Sequence, residues 1–241
     1  MTRFSDKTYW LIGASEGLGR ETAKQLHAAG ANLVLSARNV DRLNELANRL
    51  PKTRTIPIDV TDCISVKKAV LQIGSIDGII YNAGAYDPMS AQNWNTDAAL
   101  KMVDVNLSGA IRILGEILPR FLAQKKGDIT LIGSLSGYRG LPGAVGYGCS
   151  KAALISLAET MRYDLRGSGV TVRIVNPGFI KTRLTDKNSF KMPMLMEPAD
   201  AAKRVLHAMR HRRFRTDFPA PFSWSIRALD LLPDFAVYRG R

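Results

Sequence analysis

Cysteine is almost missing from this chain of 241 residues, which holds only Cys63 and Cys149. Two isolated thiols are too few for a disulfide framework or a thiolate metal centre, so a reducing, cytoplasmic setting and no bound metal are expected. Long apolar runs are missing as well. A membrane-spanning helix needs about 20 mostly apolar residues, and no stretch approaches that. The early run Tyr9-Trp10-Leu11-Ile12 breaks at Gly13, too soon for the apolar core of an export signal. Acidic residues are scarce, 21 against 34 Lys and Arg, which leaves a net charge of +13. Such an excess attracts phosphates, anionic lipid or acidic proteins without choosing among them. The basic residues are spread out, dense only at Arg212 to Arg215, and no nucleic-acid module is visible, so no specific nucleic-acid partner is expected. With 46% hydrophobic and 23% charged side chains, the chain can bury a substantial core, and a single domain over residues 1–241 is the default reading.

Short β-rich runs recur at Thr8 to Ile12, Asn32 to Ser36, Thr53 to Ile58, Gly78 to Tyr81, Asp128 to Ile132 and Val170 to Val175. Helical periods separate them: Leu18 to Ala29, Val40 to Leu50, Ile64 to Ile73, Ala98 to Phe121 and Tyr147 to Arg166. This alternation predicts an α/β fold, a doubly wound parallel sheet of about seven strands with helices on both faces. Gly30 and Gly127 are read as helix stops, and Pro119 as a kink in the last turn of the long fourth helix. After Val175 the rhythm changes. Residues 180–198 are read as a substrate loop or lid in which Met192, Met194, Leu195 and Met196 form an apolar cluster. A helix from Ala199 to Arg213 follows, then a short strand from Phe214 to Phe218 at the start of a basic, aromatic tail, residues 214–241.

Two motifs carry chemistry. The first strand runs into Gly13-Ala14-Ser15-Glu16-Gly17-Leu18-Gly19, a glycine loop opening a helix. Glycines there let the backbone approach a pyrophosphate, which then meets the free N–H groups and positive dipole of the helix start. The second is Tyr147-Gly-Cys-Ser-Lys151, with Ser134 upstream at the end of the fifth strand. Positions i and i+4 share a helix face, so Tyr147 and Lys151 point into one cleft. An ammonium beside a phenol favours phenolate and draws the tyrosine pKa down from its reference of about 10.

Taken with Asp59-Val60, Asn82-Ala83-Gly84, Asn106 and Pro177-Gly178 with Thr182, these pieces make the chain resemble the short-chain dehydrogenase/reductase family from about Lys7 to Thr182. The resemblance implies a Rossmann-type domain that exchanges a hydride between a nicotinamide cofactor and a carbonyl or alcohol, without metal. On it, Tyr147 is the general acid or base, Lys151 lowers its pKa and holds the nicotinamide ribose, and Ser134 hydrogen-bonds the substrate oxygen. Asn106 supports a proton-relay water near the lysine. Gly13, Ser15, Glu16, Gly17, Leu18 and Gly19 form the phosphate loop, Asp59 and Val60 meet the adenine, and Asn82, Ala83 and Gly84 support the cofactor. Pro177, Gly178, Ile180 and Thr182 take the carboxamide and pyrophosphate.

The second strand ends in Ser36-Ala37-Arg38 with no acid for a ribose 2′-hydroxyl, so Arg38 is expected to receive a 2′-phosphate. NADP(H) is therefore favoured over NAD(H), although Glu16 stands where NADP-preferring relatives often carry a base. The methionine cluster points to a hydrophobic, lipid-like substrate. A closing strand with a glycine-ended motif, frequent in the family, is not recognised. The tail is read either as a peripheral membrane contact or pocket lid, or as a segment packed on the body or on a second subunit. The resemblance implies a homodimer through the two long helices. Reduction of 3-oxoacyl groups on an acidic carrier, and a nucleotide-binding regulator without catalysis, are the competing functions.

Overall fold

The computed structural model describes residues 3–211 and 213–237. Expectations for Arg212, Tyr238 and the last basic residues therefore lie outside the described residues. Seven strands, β1 (Thr8–Ile12), β2 (Asn32–Ser36), β3 (Thr53–Thr55), β4 (Gly78–Tyr81), β5 (Gly127–Ile132), β6 (Val170–Pro177) and β7 (Arg215–Phe218), form one sheet in the order β3-β2-β1-β4-β5-β6-β7. Every neighbouring pair is parallel.

The sheet divides two apolar layers, and that is why its strands read as unbroken hydrophobic runs. In β1, Trp10 and Ile12 enter one layer while Tyr9 and Leu11 enter the other. A strand covered on both faces needs apolar side chains at successive positions. The helices around it are α1 (Gly17–Ala28), α2 (Val40–Asn48), α3 (Cys63–Gln72), α4 (Thr96–Val103), α5 (Gly109–Ala123), α6 (Val145–Asp164) and α7 (Pro198–Arg210), of which α4 packs on α6 rather than on the sheet. Helices α3, α5 and α6 pack on the Trp10 side, and α1, α2 and α7 on the Leu11 side. Helix α7 illustrates the pattern: Ala201, Ala202, Val205, Leu206 and Met209 make a single buried stripe. Asn39 and Asp62 cap α2 and α3 with side-chain oxygens.

Strand order reverses between β1 and β4, the position at which α/β sheets bind ligands beyond the strand ends. Several boundaries differ from the sequence reading, each for a local reason. Strand β3 ends at Thr55, yet Ile56 and Ile58 still donate to Leu35 and Ala37, and Pro57 between them faces the open edge of the sheet, where its missing N–H costs nothing. The fourth helical period is not one helix: a π-helical turn, Asp104–Ser108, separates α4 from α5. Helix α5 runs on past Pro119 to Ala123. It is followed by Lys125 at φ +49°, while Gly127 begins β5 with the Phe121 ring against it. The short strand read at Phe214 to Phe218 is β7, which closes the sheet beside β6 without a glycine-ended motif. A short helix, α8 (Phe222–Ala228), and a single turn, α9 (Asp234–Val237), end the described chain.

Candidate active site

A cavity of about 770 Å³ runs along the C-terminal ends of the strands. Its floor is the glycine loop after β1. Gly13 sits at φ +87°, and a Cβ there would stand 2.6 Å from the backbone nitrogen of Ala83. Gly19 packs against the Gly13 carbonyl, and Asn82 donates from Nδ2 to that same oxygen at 2.7 Å. The loop and the end of β4 are thus locked together by contacts that a side chain would break. No side chain caps α1, so its first N–H groups stay available to an anion. Ser15, Glu16, Gly17 and Leu18 line the cavity, and Gly19 stands behind them.

At one end Arg38 and Arg42 lie beside Asp59 and Val60. Burial acts to raise the Asp59 pKa, but hydrogen bonds from Thr61, with Arg38 and Arg112 nearby, hold it below the ordinary carboxylate value. Glu16 is not a bare charge at this end. Its two oxygens accept from Arg42 at 2.5 Å and Arg183 at 2.7 Å.

At the other end, Ser134 follows β5, and its side chain lies within hydrogen-bonding reach of the Tyr147 hydroxyl. Tyr147 and Lys151 are one turn apart on α6, with the ammonium 5.7 Å from the ring centroid and donating to the Ile132 carbonyl at 2.8 Å. Burial pushes the Tyr147 pKa up to about 12, against the pull of Ser134, and brings Lys151 down to about 8. Without a bound cofactor, desolvation outweighs the neighbouring groups at both residues.

Asn106 does not line the cavity. It is fully buried in the π-helical turn, where its amide donates to the Ala85 carbonyl and to Ser150 Oγ, and its oxygen accepts from the Ala85 N–H at 2.7 Å. Ser150 in turn donates to the Tyr147 carbonyl at 2.8 Å. A wide turn of this kind frequently marks a functional position. Ala83, Gly84, Pro177, Gly178, Ile180 and Thr182 all line the cavity between its two ends.

A short chain dehydrogenase family model matches residues 7–192. The chain belongs to the short-chain dehydrogenase family. As a member it is an oxidoreductase. A Myxococcus xanthus protein named an uncharacterized oxidoreductase is 31% identical, covering 97% of this chain and 96% of its own. A short-chain dehydrogenase from Sphingobium yanoikuyae, solved in complex with NADPH, is 26% identical at a TM-score of 0.84, covering 98% of this chain and 96% of that one. A Burkholderia cenocepacia short chain dehydrogenase, solved with NADP, superposes at a TM-score of 0.88 over the full length of both chains. At 23% identity its likeness is one of fold.

Several residues around the dehydrogenase site gave no signal in the sequence. Tyr86 packs its ring edge-on to Tyr147, with centroids 5.0 Å apart, and donates its hydroxyl to Asn188 at 2.6 Å. Asn176, immediately before Pro177, donates to both the Tyr138 hydroxyl and Asp217, while Tyr138 donates to Asp217 at 2.6 Å. Strand β7 thereby ties the Ser134 loop to the Pro177-Gly178 turn.

The methionine cluster is not the apolar wall. Of residues 192–196 only Pro193 lines the cavity, whereas Met194 and Leu195 are exposed and Met196 packs on the core. Phe179, Phe190, Phe222 and Ile226 form that wall instead. The last two come from α8, so this part of the tail folds back on the body.

Proposed function

We propose that the protein is an NADP(H)-dependent reductase or dehydrogenase for a hydrophobic, lipid-like carbonyl or alcohol. The observation that carries this reading is that one continuous cavity is lined both by the glycine loop and by Ser134, Tyr147, Lys151 and an aromatic wall. Bound NADP(H) supplies or accepts the hydride. The protein fits such a group through the uncapped start of α1 and the side-chain-free backbone at Gly13 and Gly17.

Tyr147 gives its phenolic proton to the substrate oxygen in reduction and recovers it in oxidation. With a pKa near 12 it is fully protonated at neutral pH, as an acid must be. Ser134 donates to the oxygen as charge develops on it. Lys151, charged below about pH 8, stabilises the phenolate that proton transfer leaves. Asn106 acts through Ser150 on the Tyr147 backbone and is a positioning residue. Arg38 and Arg42 would receive the 2′-phosphate, and Asp59 and Val60 would hold the adenine. Ser15, Gly17 and Leu18 meet the pyrophosphate, with Gly19 giving the loop its close packing. Asn82, Ala83 and Gly84 would support the cofactor from the end of β4, and Pro177, Gly178, Ile180 and Thr182 would hold its carboxamide and pyrophosphate.

The NADPH complex of the Sphingobium protein and the pairing of Glu16 with two arginines support NADP(H) over NAD(H). Exposed Ile111 on α5 and Tyr163 on α6 support a homodimer through these helices. The two free cysteines suit a cytoplasmic setting. The 180–198 segment acts as the substrate loop.

The test is oxidation of NADPH and NADH by the purified protein against ketones from small diketones to long-chain and aromatic ones. Turnover that favours NADPH and apolar ketones and vanishes in Tyr147→Phe is expected. Turnover undiminished in that variant, or confined to small polar sugars, would refute the reading.

A further inference from the structure

Among the described residues, fifteen large hydrophobic side chains are exposed, and seven of them lie between Phe190 and Phe235. Phe190 lines the cavity, and the other six stand on the same substrate loop and on the tail that supplies Phe222 and Ile226 to its wall. Helix α8 has two faces: Phe222 and Ile226, four apart, line the cavity, while Trp224, about 200° around from Phe222, is 69% exposed. Leu231, just beyond, is 86% exposed, and Leu232 is exposed too. From the substrate loop, Phe190 is exposed as well, yet its ring lies 5.7 Å from Phe179, which stacks on Phe222 at 5.8 Å. Loop and tail therefore meet at one apolar rim around the cavity mouth.

The same stretch of chain is strongly basic. Residues 181–241 hold thirteen Lys and Arg against six Asp and Glu, with Lys191, Arg213 and Arg227 exposed. Soluble proteins seldom leave an apolar rim of this kind bare. A second copy would bring like charge against like charge. An anionic bilayer instead attracts the basic residues and buries the apolar ones, with tryptophan favoured at the headgroup boundary.

We propose that this rim docks on an anionic lipid bilayer, so that the cavity opens onto the membrane and draws a water-insoluble carbonyl or alcohol from it. The docking stands on the surface alone; the delivery of substrate rests on the oxidoreductase reading above.

The experiment is cosedimentation of the full chain with vesicles of phosphatidylcholine, either pure or with about a third phosphatidylglycerol, at low and high salt. Binding to the anionic vesicles only, released by high salt, is expected. The Trp224→Ser/Leu231→Ser double variant should bind at least roughly tenfold more weakly, with its thermal midpoint and its turnover of a short soluble ketone unchanged. Wild-type turnover of a long-chain ketone should be faster from anionic than from pure phosphatidylcholine vesicles. Protein left in solution at low salt, a double variant that still sediments, or a double variant that changes from dimer to monomer in light scattering would each overturn the docking. Equal turnover from both vesicle types would overturn the delivery of substrate. Vesicle binding without turnover of any ketone would leave the docking standing and overturn the enzymatic reading instead.

Discussion

Replacing Lys151 by methionine should abolish turnover and yet make the cofactor-free protein more stable at neutral pH. The Lys151 side chain is 4% exposed, and its amine donates to one carbonyl, that of Ile132. Its pKa falls from 10.5 to about 8 on folding. A drop of that size corresponds to about 3 kcal/mol of penalty on the charged form. Loss of the hydrogen bond to Ile132 returns about 1 kcal/mol, which leaves a net gain of about 2 kcal/mol for the variant at pH 7.

The sign follows from proton counts. Between about pH 8 and 10.5 the unfolded chain holds a proton on this amine that the folded chain has released, so wild-type stability rises with pH across that window. The advantage of Lys151→Met is therefore full below pH 8, vanishes at about pH 9.5 and becomes a deficit of about 1 kcal/mol, the lost hydrogen bond, by about pH 10.5. Urea unfolding of both proteins from pH 6 to 10.5 measures the difference directly. A variant less stable than wild type at pH 7, or a difference that does not shrink as pH rises, would refute the reasoning.

Arg38→Ala should raise the KM ratio of NADPH to NADH by roughly 10- to 100-fold, the worth of one hydrogen bond to a charged partner; steady-state kinetics with both cofactors reads it, and an unchanged ratio contradicts the assignment of the 2′-phosphate. Asp128→Ala should destabilise the fold by about 3–5 kcal/mol, because Arg173, at 1% exposure, already leaves Nε and Nη2 without partners and would keep only Thr130. Chemical unfolding reads that loss, and replacing the pair together, Asp128→Leu with Arg173→Met, should recover most of it.

Much of the site was legible because its chemistry is carried by residue type at short spacing. The glycine loop, Ser134, Tyr147 and Lys151 needed nothing beyond a strand before them or a helix beneath them. What stayed hidden depends on long-range packing. Tyr86 reaches Tyr147 from a loop without periodicity, and Asp217, in the short strand Arg-Thr-Asp-Phe, meets Tyr138 and Asn176 from distant parts of the chain. The methionines misled because an apolar run beside a binding loop reads the same whether it faces the pocket or the solvent. The π-helical turn was invisible for the opposite reason. Ala99, Met102, Asn106, Ala110, Ile113 and Ile117 keep steps of three and four straight through it, so the period never falters.

That uninterrupted period gives the Asn106 turn an unusual sensitivity to insertions and deletions. Each helical residue advances the phase by about 100°, so removing one residue anywhere in 104–108 would rotate everything beyond it relative to α4. Either Met102 would leave its place against the start of α6, or Ile113 and Ile117 would leave the sheet. Point substitutions in the turn alter single hydrogen bonds, whereas a change of length sets the catalytic helix against the core. Among sequences that share this fold, the segment between α4 and α5 should therefore vary in composition while holding its length.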